Sequence, residues 1–376
     1  MALGLLALGG PAVSSGWNEG DGPTAEGHLS TGVSGYARGS VMSGLDLLTL
    51  ALTGLLAFLG AFTLDRLTER KGLTPPGFRE PWRRWAALLV VALLFWIGVT
   101  APLSALGKPA AEPDLSTIST PQLFLLHVLM VATLLSWFAL GFLGVRMAPP
   151  PRPPEPVPAA GEAGWGAPED AVFPYEPPAP ELEPAPPRPL QTLPPEVSLA
   201  RQLAAQFGFV AQDLPRELGI GLLLGAGAWV VVLAGIMLIG LLLYALGADA
   251  LVPKEPPALI PFIAGLPIWV KVLISLSAGV VEEWFFRGFL QPRMGLLLST
   301  ALFALAHFAY GQPFMLIGIT LLSLIYGLLV RWRQNIWPAI AAHALFDGVQ
   351  LLVVVPGALR LLEGQGHKAA AFLGFC

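Results

Sequence analysis

Apolar residues fall along this chain in runs of about 17–25, the length an α-helix needs to cross a bilayer's hydrocarbon core. Eight such runs stand out, at 46–64, 86–106, 122–146, 218–246, 262–286, 294–310, 314–330 and 336–356. The pattern predicts an all-α polytopic membrane protein of about eight transmembrane helices. Residues 149–195 interrupt it with 18 of the chain's 37 prolines, in runs such as PPPRPPEPVP. Such a stretch cannot build a packed core and reads as a disordered linker of polyproline II character. The expected organisation is a polar, Gly-rich segment (1–45), a three-span part (46–147), the Pro-rich linker (148–196), a five-span part (197–356) and a tail (357–376). EVSLARQLAAQFGFVAQDLP (196–215) has apolar residues at helical spacing and reads as an interfacial helix leading into the fourth span. Gly221 and Gly225 form a GxxxG, the spacing of a helix-packing surface. The opening MALGLLALGGPAVSSG has no basic residue before its apolar run, so a cleaved secretory signal is not expected.

Composition agrees with the pattern. Hydrophobic residues make up 55% of the chain and charged residues only 12%, about half the share usual in soluble domains. A net charge of −4 gives no footprint for nucleic acid. The one cysteine, Cys376, rules out a disulfide framework and a thiolate metal site. Being the last residue, it is not a prenylation box either. Basic residues alternate between loops. Arg66, Arg70, Lys71, Arg79, Arg83 and Arg84 crowd the first, whereas the second has only Lys108. The third has five arginines, the fourth only Lys254, the fifth Arg287 and Arg293, the sixth none, and the seventh Arg331 and Arg333. The positive-inside rule then puts the odd-numbered loops in the cytoplasm and both termini outside.

Against this apolar background a few ionisable groups stand out. AGVVEEWFFRGF (278–289) carries Glu282, Glu283 and Arg287. A charge inside a bilayer costs about 2.5–3.5 kcal/mol on insertion scales, so three together need partners or a wet cavity. Glu283 and Arg287 are four apart and can pair on one helix face. Glu282 lies about 100° further round and is the carboxylate freer for chemistry. His307 is alone in LLLSTALFALAHFAYG, and His343 and Asp347, four apart, are alone in PAIAAHALFDGVQLL. A carboxylate at that spacing can fix an imidazole's tautomer. Small residues around His343 (Ala339, Ala341, Ala342, Ala344) suit close helix approach. One carboxylate and two histidines suit water activation, the carboxylate taking a proton and the histidines positioning water or polarising a carbonyl. Glu282, His307 and His343 could instead hold zinc or another divalent ion. His307 lies about 21 Å along a helix from Arg293, and His343 about 15 Å from Arg333. For them to meet, the sixth span must start near 295–298 or tilt. His127 and Asp46, near outward span ends, read as solvated groups, and Lys271 as a snorkelling one. No HExxH or GxGD occurs. The one GxSG, Gly32–Gly35, lies in the polar N-terminal segment.

EEWFFR fits EExxxR, Phe303 to His307 fits FxxxH, and His343 to Asp347 fits HxxxN/D. In this order, each in an apolar span, the motifs resemble those of the CPBP intramembrane proteases, which include CAAX prenyl endopeptidases and the bacterial Abi proteins. The resemblance covers about residues 215–355. It implies a membrane-embedded endopeptidase, a metalloprotease in some accounts of the family, acting on a membrane-associated protein or peptide through a site opening toward the cytosol. It implies Glu282 as general base, Glu283 and Arg287 as supporting residues, and His307, His343 and Asp347 completing the site. A bacterial cell (inner) membrane is the expected location. The rival reading is a membrane scaffold or bacteriocin-immunity-type protein that binds a partner at the same polar site.

Overall fold

A computed structural model describes residues 44–101, 118–145, 198–248, 259–308 and 313–365. The N-terminal segment, the Pro-rich linker and the end of the tail lie outside the described residues. Those described are α-helical throughout, with no strand among them.

The first three helices are α1 (Gly44–Arg70), α2 (Pro81–Phe95, continued by a π-helical turn Trp96–Thr100) and α3 (Thr120–Phe142). After the linker come α4 (Leu199–Gln206), α5 (Leu214–Ala245) and α6 (Leu259–Gly265). α7 (Ile268–Glu283) runs on through a π-helical segment, Trp284–Leu290, into a last turn, Gln291–Met294. α8 (Leu296–Ala306), α9 (Pro313–Arg333), α10 (Trp337–Val349, extended by a π-helical turn Gln350–Val354) and α11 (Val355–Gln365) complete the chain.

Among the described residues, six helices are long and apolar enough to cross a membrane: α1, α2, α3, α5, α9 and the run α10–α11. The protein is an integral membrane protein. The fifth and sixth expected spans take other forms. Residues 268–294 are helical for about 40 Å at 1.5 Å per residue, but carry the site's charges. α8 has only 11 residues, about 16 Å, and ends inside the protein. It begins at Leu296, just after Gly295 at φ 86°, within the window that the meeting of His307 and His343 requires. The helix expected over 196–215 is shorter, because Gly208 at φ 78° turns the chain and Asp213 caps α5 by accepting from the Arg216 amide.

The odd-numbered connections meet on one face. Lys71 Nζ donates to the Pro292 carbonyl (3.0 Å). The Ile336 amide donates to Gly208 O (3.0 Å), and Trp337 Nε1 to Phe209 O (2.7 Å). Arg333 Nε reaches Glu217 Oε2 (3.0 Å), and Arg83 Nη1 the Leu143 carbonyl (2.8 Å). The arginine-rich loops therefore share a side. One hydrophobic core joins α1, α2 and α3 to Phe207 and to residues 281–306, so the first three helices pack directly onto the helix carrying Glu282.

Helix α10 is held between α5 and α7 by small residues. A Cβ on Gly225 would lie 2.7 Å from Ala342 Cα, and one on Gly279 2.9 Å from the Ile340 carbonyl. Gly221 sits against Pro338 and Ala341 in the same way. The GxxxG of α5 is thus a packing surface, and its partner is the helix carrying His343.

Candidate functional site

Successive residues of α7 point to different surroundings, as the 100° step dictates. Glu283 is fully buried and turns toward α10, whereas Glu282 turns toward α3 and α8. Glu283 Oε1 stands 3.1 Å from Arg287 Nη1 and accepts from His343 Nδ1 at 2.8 Å. Arg287, also buried, donates from Nη2 to the Ser323 carbonyl (3.2 Å) and lies 4.4 Å above the Phe303 ring. This charge is neutralised and stacked on an aromatic face. The expected Glu283–Arg287 pair is present. The expected orienter of His343 differs. Asp347 stands 3.6 Å from His343 Nε2, too far for a direct hydrogen bond, and the closer carboxylate is Glu283. Because Glu283 accepts from Nδ1–H, the Nε2 edge of His343 faces Asp347 and the cavity.

His307 ends α8 and donates from Nδ1 to the Phe303 carbonyl one turn back (2.7 Å). A carbonyl can only accept, so in the neutral ring the lone pair is on Nε2. That atom lies 3.7 Å from Glu282 Oε2. The Phe303 ring packs against both imidazoles, with centroids 4.5 Å from His307 and 6.2 Å from His343. Tyr326 stacks on the other side of His343 at 5.4 Å.

Glu282, His307, His343 and Asp347 line one cavity of about 380 Å³. Its remaining wall is mainly apolar, with Val232, Ile236, Ile274, Ile319 and Phe346 among the residues. Glu283 and Arg287 are outside this lining and sit behind it. The Oε2 atom of Glu282 is buried and has no hydrogen-bond partner among the described residues. Among the described residues, no group of three or more His, Cys, Asp or Glu side chains is placed to hold a metal ion. Glu282, His307 and His343 are thus not gathered into a three-ligand set, and the Glu283 contact to His343 Nδ1 leaves Nε2 as the nitrogen that faces the cavity.

The cavity runs away from the arginine-rich face. Its lining extends to Ile118 and Gln122 at the start of α3, to Ile260 and Ile263, and to Val355. Toward the arginine-rich side Phe207 packs edge-to-face on Trp284 and tilted against Phe289, and Phe285 packs edge-to-face on Phe286 and tilted against Phe289. Phe207, Phe286 and Phe289 are buried.

Three polar groups missed in the sequence belong to this region. His127 lines the cavity and approaches both Ser277 (3.1 Å) and Glu282 (3.4 Å). Its signal was the one that marked His307: a lone ionisable residue in an apolar run, LFLLHVLMV. Trp229 donates to Gln350 across the same cavity (3.2 Å). Lys271 does not snorkel outward. It is buried and donates to the Ala264 carbonyl at 2.7 Å.

Residues 264–349 match the family described as type II CAAX prenyl endopeptidase Rce1-like. The matched segment holds every site residue named from the motifs and leaves out α1 to α5. An uncharacterized protein of Bacillus subtilis (strain 168), YpbD, is 34% identical over 79 residues, covering 21% of this chain and 42% of that protein. The chain thus aligns with under half the length of this relative. No solved structure matches the chain.

Proposed function

We propose that the protein is an intramembrane endopeptidase that cleaves a membrane-associated protein or peptide, with Glu282 as the general base. The observation that carries this reading is Glu282 Oε2, a buried carboxylate oxygen without a hydrogen-bond partner among the described residues, which faces His307 Nε2 across 3.7 Å. A water bridging these atoms is held by two acceptors and so presents its protons to them and its oxygen lone pair to a substrate carbonyl. Glu282 takes one proton, the water oxygen bonds to the carbonyl carbon, and the carbonyl becomes an oxyanion. Nε2 of His343, once protonated, is the donor suited to that oxyanion. The proton on Glu282 then passes to the departing amine as the C–N bond breaks. Burial strengthens each of these interactions relative to water.

The Rce1-like match supports the class of reaction, and the apolar wall supports a lipid-modified or hydrophobic peptide. The positive-inside rule supports a cytoplasmic arginine-rich face, and the bacterial relative supports a bacterial cell membrane. The cavity runs away from that face. We therefore favour substrate arriving from within the bilayer over the opening toward the cytosol that the family resemblance implies.

The test is hydrolysis by protein reconstituted in liposomes of two quenched fluorescent peptides, one farnesylated at a CAAX terminus and one an unmodified hydrophobic sequence. In parallel, membrane proteomes of cells carrying wild type and Glu282→Ala are compared for uncleaved proteins. Cleavage that depends on Glu282 is expected. Absence of any cleaved peptide or accumulated protein would leave the site as a binding surface, the scaffold reading.

A further inference from the structure

Resting on the reading of Glu282 as general base, we propose that His127 is its positioning residue. The first three helices, outside the family-matched segment, then supply part of the working site. His127 is on α3, and its side chain is largely buried (12% exposed). Its Nε2 lies 3.4 Å from Glu282 Oε1, and its Nδ1 3.1 Å from Ser277 Oγ. An ionised carboxylate can only accept, so the first contact requires a proton on Nε2. Nδ1 is then an acceptor, and the Ser277 hydroxyl donates to it. The one hydroxyl proton has a second acceptor in the Ile274 carbonyl (3.1 Å), so it is the Glu282 carboxylate that requires the proton on Nε2. The carboxylate thus sets the tautomer, histidine holds Oε1, and Oε2 is left as the oxygen that faces His307. Among the described residues, no other side chain hydrogen-bonds to Glu282. Arg287, the nearest cation on its own helix, is engaged by Glu283. The 3.4 Å distance is long, as hydrogen bonds in a site without substrate often are.

Core packing holds this geometry in register. Leu126, Met130 and Leu134, on the neighbouring face of α3, are buried in the core shared with Val281 and Phe285. That packing fixes the height of α3 against α7 to within a side-chain contact, and so brings one turn of α3 level with Glu282.

The test compares His127→Ala, His127→Gln and His127→Asn in the full chain, reconstituted in liposomes with the farnesylated fluorescent peptide. The Gln amide nitrogen replaces Nε2 and can still donate to Glu282. The Asn amide reaches only to the position of Nδ1. Loss of a partner that orients a reacting group typically costs 10–100-fold in activity. The expected result is a kcat lower by about 10–100-fold in His127→Ala and His127→Asn with KM little changed, and recovery of most of kcat in His127→Gln. Ser277→Ala should fall in the same direction by less. Equal kcat in the Gln and Asn variants, or a kcat for His127→Ala near wild type, would overturn the proposal. If wild type cleaves neither peptide, the proteolytic reading fails separately, and the contact itself is read by thermal unfolding. His127→Ala should lower Tm in the wild-type background but not in Glu282→Ala. Equal Tm shifts in both backgrounds would show that the two side chains do not interact.

Discussion

At the residue scale, adjacent carboxylates have opposite surroundings, and their substitutions should separate. Glu282→Gln removes a proton acceptor while keeping shape. Turnover should fall by about 10²–10⁴-fold, with little loss of thermal stability, in the liposome assay normalised to folded protein. Glu283→Gln leaves Arg287 buried without its counter-ion, a change worth about 3–5 kcal/mol. Its mark should be low yield and low Tm in detergent. Activity per folded molecule should fall less than in Glu282→Gln, because a Gln oxygen still accepts from His343 Nδ1. His307→Ala and His343→Ala should resemble Glu282→Gln. Asp347→Ala should cost under about tenfold, since at 3.6 Å it does not hydrogen-bond to the His343 ring and so does not fix its orientation. An Asp347→Ala effect as large as that of His343→Ala would show instead that Asp347 acts directly. The sequence made the division of labour between Glu282 and Glu283 legible, because a 100° step on a helix needs no tertiary information. It did not reveal that Glu283 bonds to His343. That contact spans 60 positions and depends on how two helices cross.

At the element scale, the site depends on how closely α10 approaches α5 and α7. Gly279→Ala would put a methyl 2.9 Å from Ala344 Cβ and from the Ile340 carbonyl, with backbone on one side and no flexible group to yield. Overpacking of this kind costs about 1–3 kcal/mol. Because α10 carries His343, turnover should fall together with Tm. Gly225→Ala meets Ala342 Cα at 2.7 Å and should behave alike. Gly227→Ala, in the same helix as Gly225 with nothing within 4 Å, is the control and should change neither quantity. Thermal unfolding followed by tryptophan fluorescence, with turnover on the same samples, checks all three. The GxxxG spacing and the alanines around His343 announced close packing, and the structure supplied the pairing. The short α8 was legible from a different source. For His307 to meet His343 the helix has to start near 295–298 or tilt, and it starts at Leu296. The π-helical segment at Trp284–Leu290 had no such signal, since the side-chain period of that stretch reads as ordinary α-helix.

At the scale of the whole molecule, the arginine-rich connections lie together, and the cavity extends from the site toward the other side. The alternating loop charges predict a sidedness, but they do not say which way the cavity runs. That depends on the aromatic layer assembled from Phe207, Trp284, Phe286 and Phe289, in which Phe207 comes from a part of the sequence distant from the other three. The two features yield a joint prediction for cysteine labelling in a Cys376→Ser background. A cysteine replacing Glu80, whose side chain is 50% exposed, should react with a membrane-impermeant maleimide only after the membrane is permeabilised. One replacing Gln122, exposed at the start of α3 and part of the cavity wall, should react in intact cells. Reagent bound there should slow hydrolysis of the fluorescent peptide, whereas reagent at position 80 should not. Labelling of position 80 in intact cells would invert the topology and turn the cavity toward the cytoplasm. Modification at 122 without any effect on hydrolysis would mean that substrate does not pass that end of α3.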